Sequence, residues 1–161
     1  MTLLGAVILV IAAYGCGIAI ASEEGEKLKA LEGLIGLLQY FRRRMVAEGT
    51  PLYQLFDGYK NEYLERSGFL PRLRSFGNRA PRFWGEALEA LSLEETAKDE
   101  LLHFGESLGR LELEGQLKHI DSCLSVLVQE RERLKKTIPM KQKSIKAAAF
   151  LSGALTAIIL I

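Results

Sequence analysis

The chain has 161 residues, 48% of them hydrophobic, and carries 21 Lys and Arg against 20 Asp and Glu for a formal net charge of +1. That length supports one domain with a substantial core and is short for two, while the even charge balance argues against a nucleic-acid binder or a strongly acidic partner. The charges are unevenly placed: all lie between Glu23 and Lys146, leaving two apolar ends around a charged middle.

The first end, "TLLGAVILVIAAYGCGIAIAS" from Thr2 to Ser22, is predicted to be a transmembrane helix occupying residues 1–22. At 1.5 Å rise per residue such a stretch crosses a hydrocarbon core of about 30 Å. Ala19-Ile20-Ala21 has the form of a signal-peptide cleavage site, but "MTLLG" lacks the positively charged start of such peptides. Beyond it, Leu28, Leu31, Ile35, Leu38, Arg42 and Met45 recur at heptad spacing, which predicts a helix leaving the span with Arg42 partly buried in its seam.

"AEGTPLYQLFDGYKNEYLERSG" predicts a second helix, with Thr50 as N-cap, Pro51 at its first position and an end near Gly68. Leu52, Leu55, Phe56, Tyr59 and Tyr63 then share one face. The run from Ser67 to Pro81 keeps no sustained period and predicts a short helix inside a loop. "RFWGEALEAL" predicts a short amphipathic helix anchored in the core by Trp84. Ser92 followed by Glu95 has the form of a capping box and predicts the start of the next helix, with Leu101, Leu102, Phe104 and Leu108 inward.

Three glycines follow in "LLHFGESLGRLELEGQLKHI", although each costs roughly 1 kcal/mol relative to alanine inside a helix. Gly109 fits a helix C-terminus, Gly105 a site of close helix packing, and Gly115 the opening turn of the next helix. That helix has its own heptad seam: Leu113, Leu117, Ile120, Leu124, Leu127, Arg131, Leu134 and Ile138. With the first heptad helix it is predicted to form an antiparallel pair.

After Glu132 no acidic residue remains, while Arg133, Lys135, Lys136, Lys141, Lys143 and Lys146 crowd the approach to the last apolar stretch, "AAAFLSGALTAIILI". That stretch, residues 147–161, is read as a second span, with a buried core helix as the alternative because it is short. The positive-inside rule then puts residues 23–146 in the cytosol as a helical-bundle domain. The expected fold is all-α, with about five to six cytosolic helices flanked by two transmembrane helices. Ala13, Gly17 and Ala21 in the first span, and Ala149, Gly153 and Ala157 in the second, repeat small residues every four positions. Such spacing lets spans approach closely, either each other or another subunit in a homo-oligomer.

Catalytic signatures are missing from the sequence. His103, His119, Cys16 and Cys123 fall into no ligand spacing, and there is no P-loop, dinucleotide turn or nucleophile elbow. No enzyme, cofactor or metal is expected. An enzyme reading would require His103 or His119 to converge with carboxylates in a pocket. The densest basic patch away from the membrane is Arg42, Arg43 and Arg44, about 30 Å along the first helix from the span. It is the candidate contact for a soluble partner.

Phe104-Gly105, Leu108-Gly109, Glu112, Gln116 and Lys118 to Ile120 form a run that resembles the stage III sporulation protein AB family of endospore-forming bacteria. Gly49 to Leu52, the Trp84 to Leu88 run and the two apolar ends add to the likeness, which covers essentially the whole chain. The resemblance implies a component of the channel linking mother cell and forespore during engulfment, on the mother-cell side of the outer forespore membrane. It implies a cytosolic domain similar to that of the type II secretion and type IV pilus inner-membrane platform protein. The implied role is non-catalytic: coupling a secretion-type ATPase, sporulation protein AA, to the other channel components and the lipid membrane. A self-assembling channel subunit is the alternative, although the span residues that could line a pore are limited to Tyr14, Ser152, Thr156 and small side chains.

Overall fold

A computed structural model describes the backbone of residues 2–48 and 52–160, and most side chains between residues 22 and 140. The described residues form helices and connecting turns, with no strand among them. Seven α-helices follow in order: α1 (Thr2–Glu48), α2 (Leu52–Gly58), α3 (Glu62–Arg66), α4 (Phe69–Phe76), a 3-10 segment (Gly77–Phe83), α5 (Trp84–Leu88), α6 (Glu95–Ser107) and α7 (Leu113–Leu160).

Two compact units divide the chain: Met1–Glu26 with Arg133–Ile161, and Lys27–Glu132. In the first, both chain segments are helical. Among the described residues no helix is long and apolar enough to cross a membrane. The expected spans, residues 1–22 and 147–161, lie almost wholly outside the residues whose side chains are described, as do the small-residue stripes within them.

The second unit is a helical bundle closed around an aromatic core. From α1 it buries Leu31, Leu34, Ile35, Leu38, Phe41 and Met45, the inward positions of an amphipathic helix. Phe41 meets Phe56 of α2 edge to face at 5.1 Å between centroids. Trp84 is the hub, within 5.4 Å of Phe69, 5.7 Å of Phe104 and 6.2 Å of Phe56. Its indole Nε1–H donates to the carbonyl of Leu101 at 2.8 Å, satisfying the polar atom of a side chain that is 1% exposed.

Three local expectations change. The single helix predicted from Thr50 to Gly68 is two helices, α2 and α3; its proposed caps Thr50 and Pro51 lie outside the described residues. Asn61 causes the break: its backbone is extended and its side chain accepts from the Leu64 amide at 3.0 Å, capping a new helix. The run after Ser67 holds the expected short helix, α4. Gly68 and Gly77, at φ 87° and 51°, start and end α4, and burial of Phe69, Leu70 and Leu73 supplies its apolar face.

Ser92 does not cap α6; the helix begins at Glu95, and the extended Glu94 offers its carbonyl to the Lys98 amide at 2.9 Å. The α7 seam is also broader than a two-helix heptad predicts. Gln116, Ile120, Cys123, Leu127 and Leu134 are buried, whereas Leu113 is 49% exposed. In this unit α7 touches two neighbours, α6 through His119 and Ser107, and α1 through Asp121 and Arg42.

Cys123 is fully buried, and burial, its largest influence, pushes the thiol up to about 12. The folded thiol therefore stays protonated where the unfolded one ionises. Stability from this group is complete below the unfolded value near 9 and falls between there and about 12, because the unfolded state binds fewer protons. In a Cys16→Ser background, maleimide labels Cys123 only as the protein unfolds. Above pH 9 the stability of that protein falls more steeply than that of a Cys123→Ala version.

Candidate functional site

Phe41 and Met45 are both buried on α1, so the three arginines between them are carried on its outer side. They do not act as one patch. Arg42 turns to α7, its Nε 2.7 Å from Oδ1 of Asp121, with both side chains about half exposed at 48% and 50%. A seam arginine that is partly buried is what the heptad spacing predicts: its methylene stem and aqueous head suit the rim of the α1–α7 contact. Exposed ion pairs of this type contribute little, so Arg42→Ala is expected to change stability by less than about 1 kcal/mol in urea titration.

Arg44 is half-buried, its guanidinium 5.6 Å from the centroid of the Tyr40 ring. Arg43 is exposed between them. Its charge reaches Tyr59, whose pKa is raised chiefly by burial, against opposing effects from Asn61 and Arg43. Tyr40 and Tyr59 lie 5.5 Å apart, so Arg43 and Arg44 flank one aromatic face while Arg42 points toward α7.

That face is built on glycines. Tyr59 donates its hydroxyl to the Gly33 carbonyl at 3.1 Å, and a Cβ added at Gly36 would run into the same hydroxyl. A Cβ at Gly58 would meet the hydroxyl of Tyr40. Arg74 of α4 holds the α2–α3 break together. Its Nε donates to Phe56 O at 3.0 Å, one Nη to Tyr59 O at 2.5 Å, and the other to the Glu65 carboxylate at 2.7–3.0 Å. A carbonyl-rich gap with a nearby acid is the local signal for such an arginine, but the contacts span 9 to 18 residues of sequence.

Nearby, an open cleft of about 360 Å³ is lined by Lys29, Glu32, Gly33, Asn61, Glu62, Tyr63 and Arg66. Both signs of charge meet there without a nucleophile and base in contact. Among the described residues no group of three or more His, Cys, Asp or Glu is placed to hold a metal. His103 and His119 come together, with ring centroids 6.1 Å apart, although they lie on the bundle surface and not in the cleft.

Phe104, Gly105, Leu108, Gly109, Glu112 and Gln116 build the corner between α6 and α7. Phe104 and Leu108 are buried. A Cβ at Gly105 would enter the Trp84 indole, and Gly109 stands at φ 76°, where the chain turns out of α6. Glu112 is exposed, and its carbonyl accepts the Gln116 amide at 2.9 Å to open α7. Gln116 itself is 9% exposed. Gly115 falls in this opening turn, where an added Cβ would meet the Leu111 side chain.

The profile of the family described as Stage III sporulation protein AB matches residues 2–161. The chain belongs to that family. The stage III sporulation protein AB of Bacillus subtilis (strain 168) is 27% identical over 169 residues, covering 99% of each chain. A solved stage III sporulation protein AB structure, 24% identical, superposes with a TM-score of 0.55 over 71% of this chain and 97% of that one, so the fold is shared. These names place the chain among sporulation proteins and attach no catalytic activity to the relatives. In this chain the run through Gly105 and Gly109 forms the corner between α6 and α7, packed against Trp84.

Proposed function

We propose that this chain is a non-catalytic membrane platform in the secretion-like channel between mother cell and forespore, coupling a cytosolic secretion-type ATPase to the membrane complex. One observation carries the reading. The two longest helices, α1 and α7, hold both the apolar terminal stretches of the sequence and buried faces of the Lys27–Glu132 bundle. A family member anchored through both ends and built on such helices suits the passage of force better than the passage of substrate. Family membership supports a place in sporulation, and the excess of basic residues after Glu132 supports a cytosolic bundle; the mother-cell side is what the family resemblance implies.

In this reading residues 1–22 and 147–161 are spans, and the stripes Ala13-Gly17-Ala21 and Ala149-Gly153-Ala157 pack them together. The ATPase meets the exposed face of α1 around Arg43, with Arg44 and Tyr40 beside it; Arg42 serves the α1–α7 contact instead. The test is the affinity of the purified ATPase for the full chain in mild detergent, wild type against Arg43→Glu and Arg42→Ala, at low and high salt. Binding is expected to weaken with salt, to fall at least tenfold in Arg43→Glu, and to survive in Arg42→Ala. Equal affinity for wild type and Arg43→Glu would remove α1 from the contact.

A further inference from the structure

Charge is sorted along the middle of this chain, and the ATPase contact proposed at Arg43 uses none of it. From Arg66 to Gly85 there are five arginines, Arg66, Arg72, Arg74, Arg79 and Arg82, and neither an acid nor a lysine. From Glu86 to Glu106 there are seven acids against one lysine, Lys98, and no arginine. On the basic side Arg74 is held by Glu65, whereas Arg72, Arg79 and Arg82 are exposed and make no ion pair among the described residues. Phe76 and Phe83 of the same stretch are half-buried and stacked, 3.8 Å between centroids with planes 8° apart, and the Arg79 guanidinium lies 6.0 Å from the Phe83 ring. On the acidic side Glu95, Asp99 and Glu106 are exposed at spacings of four and seven along α6, which puts them on one helical face. Lys98 goes to Glu89 at 3.0 Å, and Glu106 has the imidazole of His103 3.7 Å away.

The 3-10 segment bearing Arg79 and Arg82 packs against α6, so the two signs lie on adjoining parts of one bundle. That adjacency chooses the partner. A lipid surface or a nucleic acid is negative throughout, and the α6 carboxylates would repel it as it reached the arginines. Arginine and phenylalanine without lysine is instead the composition of protein–protein contacts, where the planar guanidinium takes carboxylates through two hydrogen bonds at once. The partner that fits carries acid opposite the arginines and arginine opposite the acids. A second copy of this chain, turned about a twofold axis, has that pattern by construction, since each face then meets its complement. We propose that the face formed by Arg72, Arg79, Arg82 and the Phe76–Phe83 stack joins the Glu95, Asp99 and Glu106 face of a second copy, giving a reciprocal dimer of bundles. Arg43 lies outside both faces, so this contact stands or falls separately from ATPase binding.

The experiment is sedimentation velocity of the full chain in mild detergent, for wild type, Arg79→Glu/Arg82→Glu, Asp99→Lys/Glu106→Lys, and an equimolar mixture of the two variants. The wild type is expected to sediment as a dimer at low salt, with affinity falling at least tenfold at high salt. Each variant alone is expected to be monomeric with wild-type helicity, because like charges then meet at both contacts. The mixture is expected to regain the dimer, because reversal on both sides restores both contacts in the heterodimer. Association through the terminal stretches would be blind to these exposed positions. A monomeric wild type at low salt, a dimer that survives in either variant, or a mixture that stays monomeric would overturn the proposal. A monomeric wild type that binds a fluorescein-labelled polyglutamate peptide through Arg79 and Arg82 would also overturn it, and would give the face to a different, acidic protein.

Discussion

Trp84→Ala is expected to destabilise the bundle by about 3–5 kcal/mol, read as the shift in urea midpoint of the full chain in mild detergent. The indole joins Phe56, Phe69 and Phe104 and satisfies the Leu101 carbonyl, so its loss opens a cavity where α2, α4, α5 and α6 meet. Gly105 is the other half of that contact. Gly105→Ala puts a methyl into the indole ring and is expected to cost about 1–3 kcal/mol in the wild-type background. In the Trp84→Ala background the methyl enters vacated space, so the double variant should be more stable than the sum of the singles predicts. Strict additivity would mean that the two residues do not share the contact.

Arg74→Met is expected to cost about 2 kcal/mol, most of it from the carbonyls of Phe56 and Tyr59 that lose their donors. The Glu65 ion pair adds less, since both partners are about a third exposed, at 27% and 35%. Arg74→Lys should recover little, because an ammonium cannot match the planar fork that reaches two carbonyls and a carboxylate together. Hydrogen exchange gives the local reading: amides of α2 and α3 should open sooner in Arg74→Met than those of α6. Unchanged protection of α2 and α3 would show that Asn61 and the apolar contacts of Leu64 hold the break unaided.

The physics of single segments explains what could be read in advance. Gly109 was legible as a helix end because a left-handed residue after an apolar periodic run has few other uses, and it stands at φ 76°. Trp84 was legible as an anchor because a lone indole on an amphipathic turn has much apolar surface to bury. The break at Asn61 was not, because Leu55, Phe56, Tyr59 and Tyr63 keep helical spacing across it; the decisive partner, Arg74, comes from α4. Ser92 misled for a related reason. A capping box is a local preference, and the chain before α6 instead runs extended through Glu94, whose carboxylate takes Lys27 of α1 at 3.0 Å.

The arginine patch shows the same limit at the level of function. Sequence places Arg42, Arg43 and Arg44 side by side, but Asp121 and Tyr40 give two of them structural neighbours. Proximity of His103 to His119 was invisible for want of any ligand spacing along the chain. The corner at Gly109 brings them together.

Co-flotation of the purified ATPase with vesicles carrying the full chain tests the platform account most directly, because it asks at once for membrane anchorage and for ATPase capture. The account predicts that the ATPase floats with vesicles carrying wild-type protein, stays at the bottom with protein-free vesicles, and is largely released by Arg43→Glu or by high salt. A folded, vesicle-borne protein that leaves the ATPase at the bottom of the gradient at low salt would contradict it.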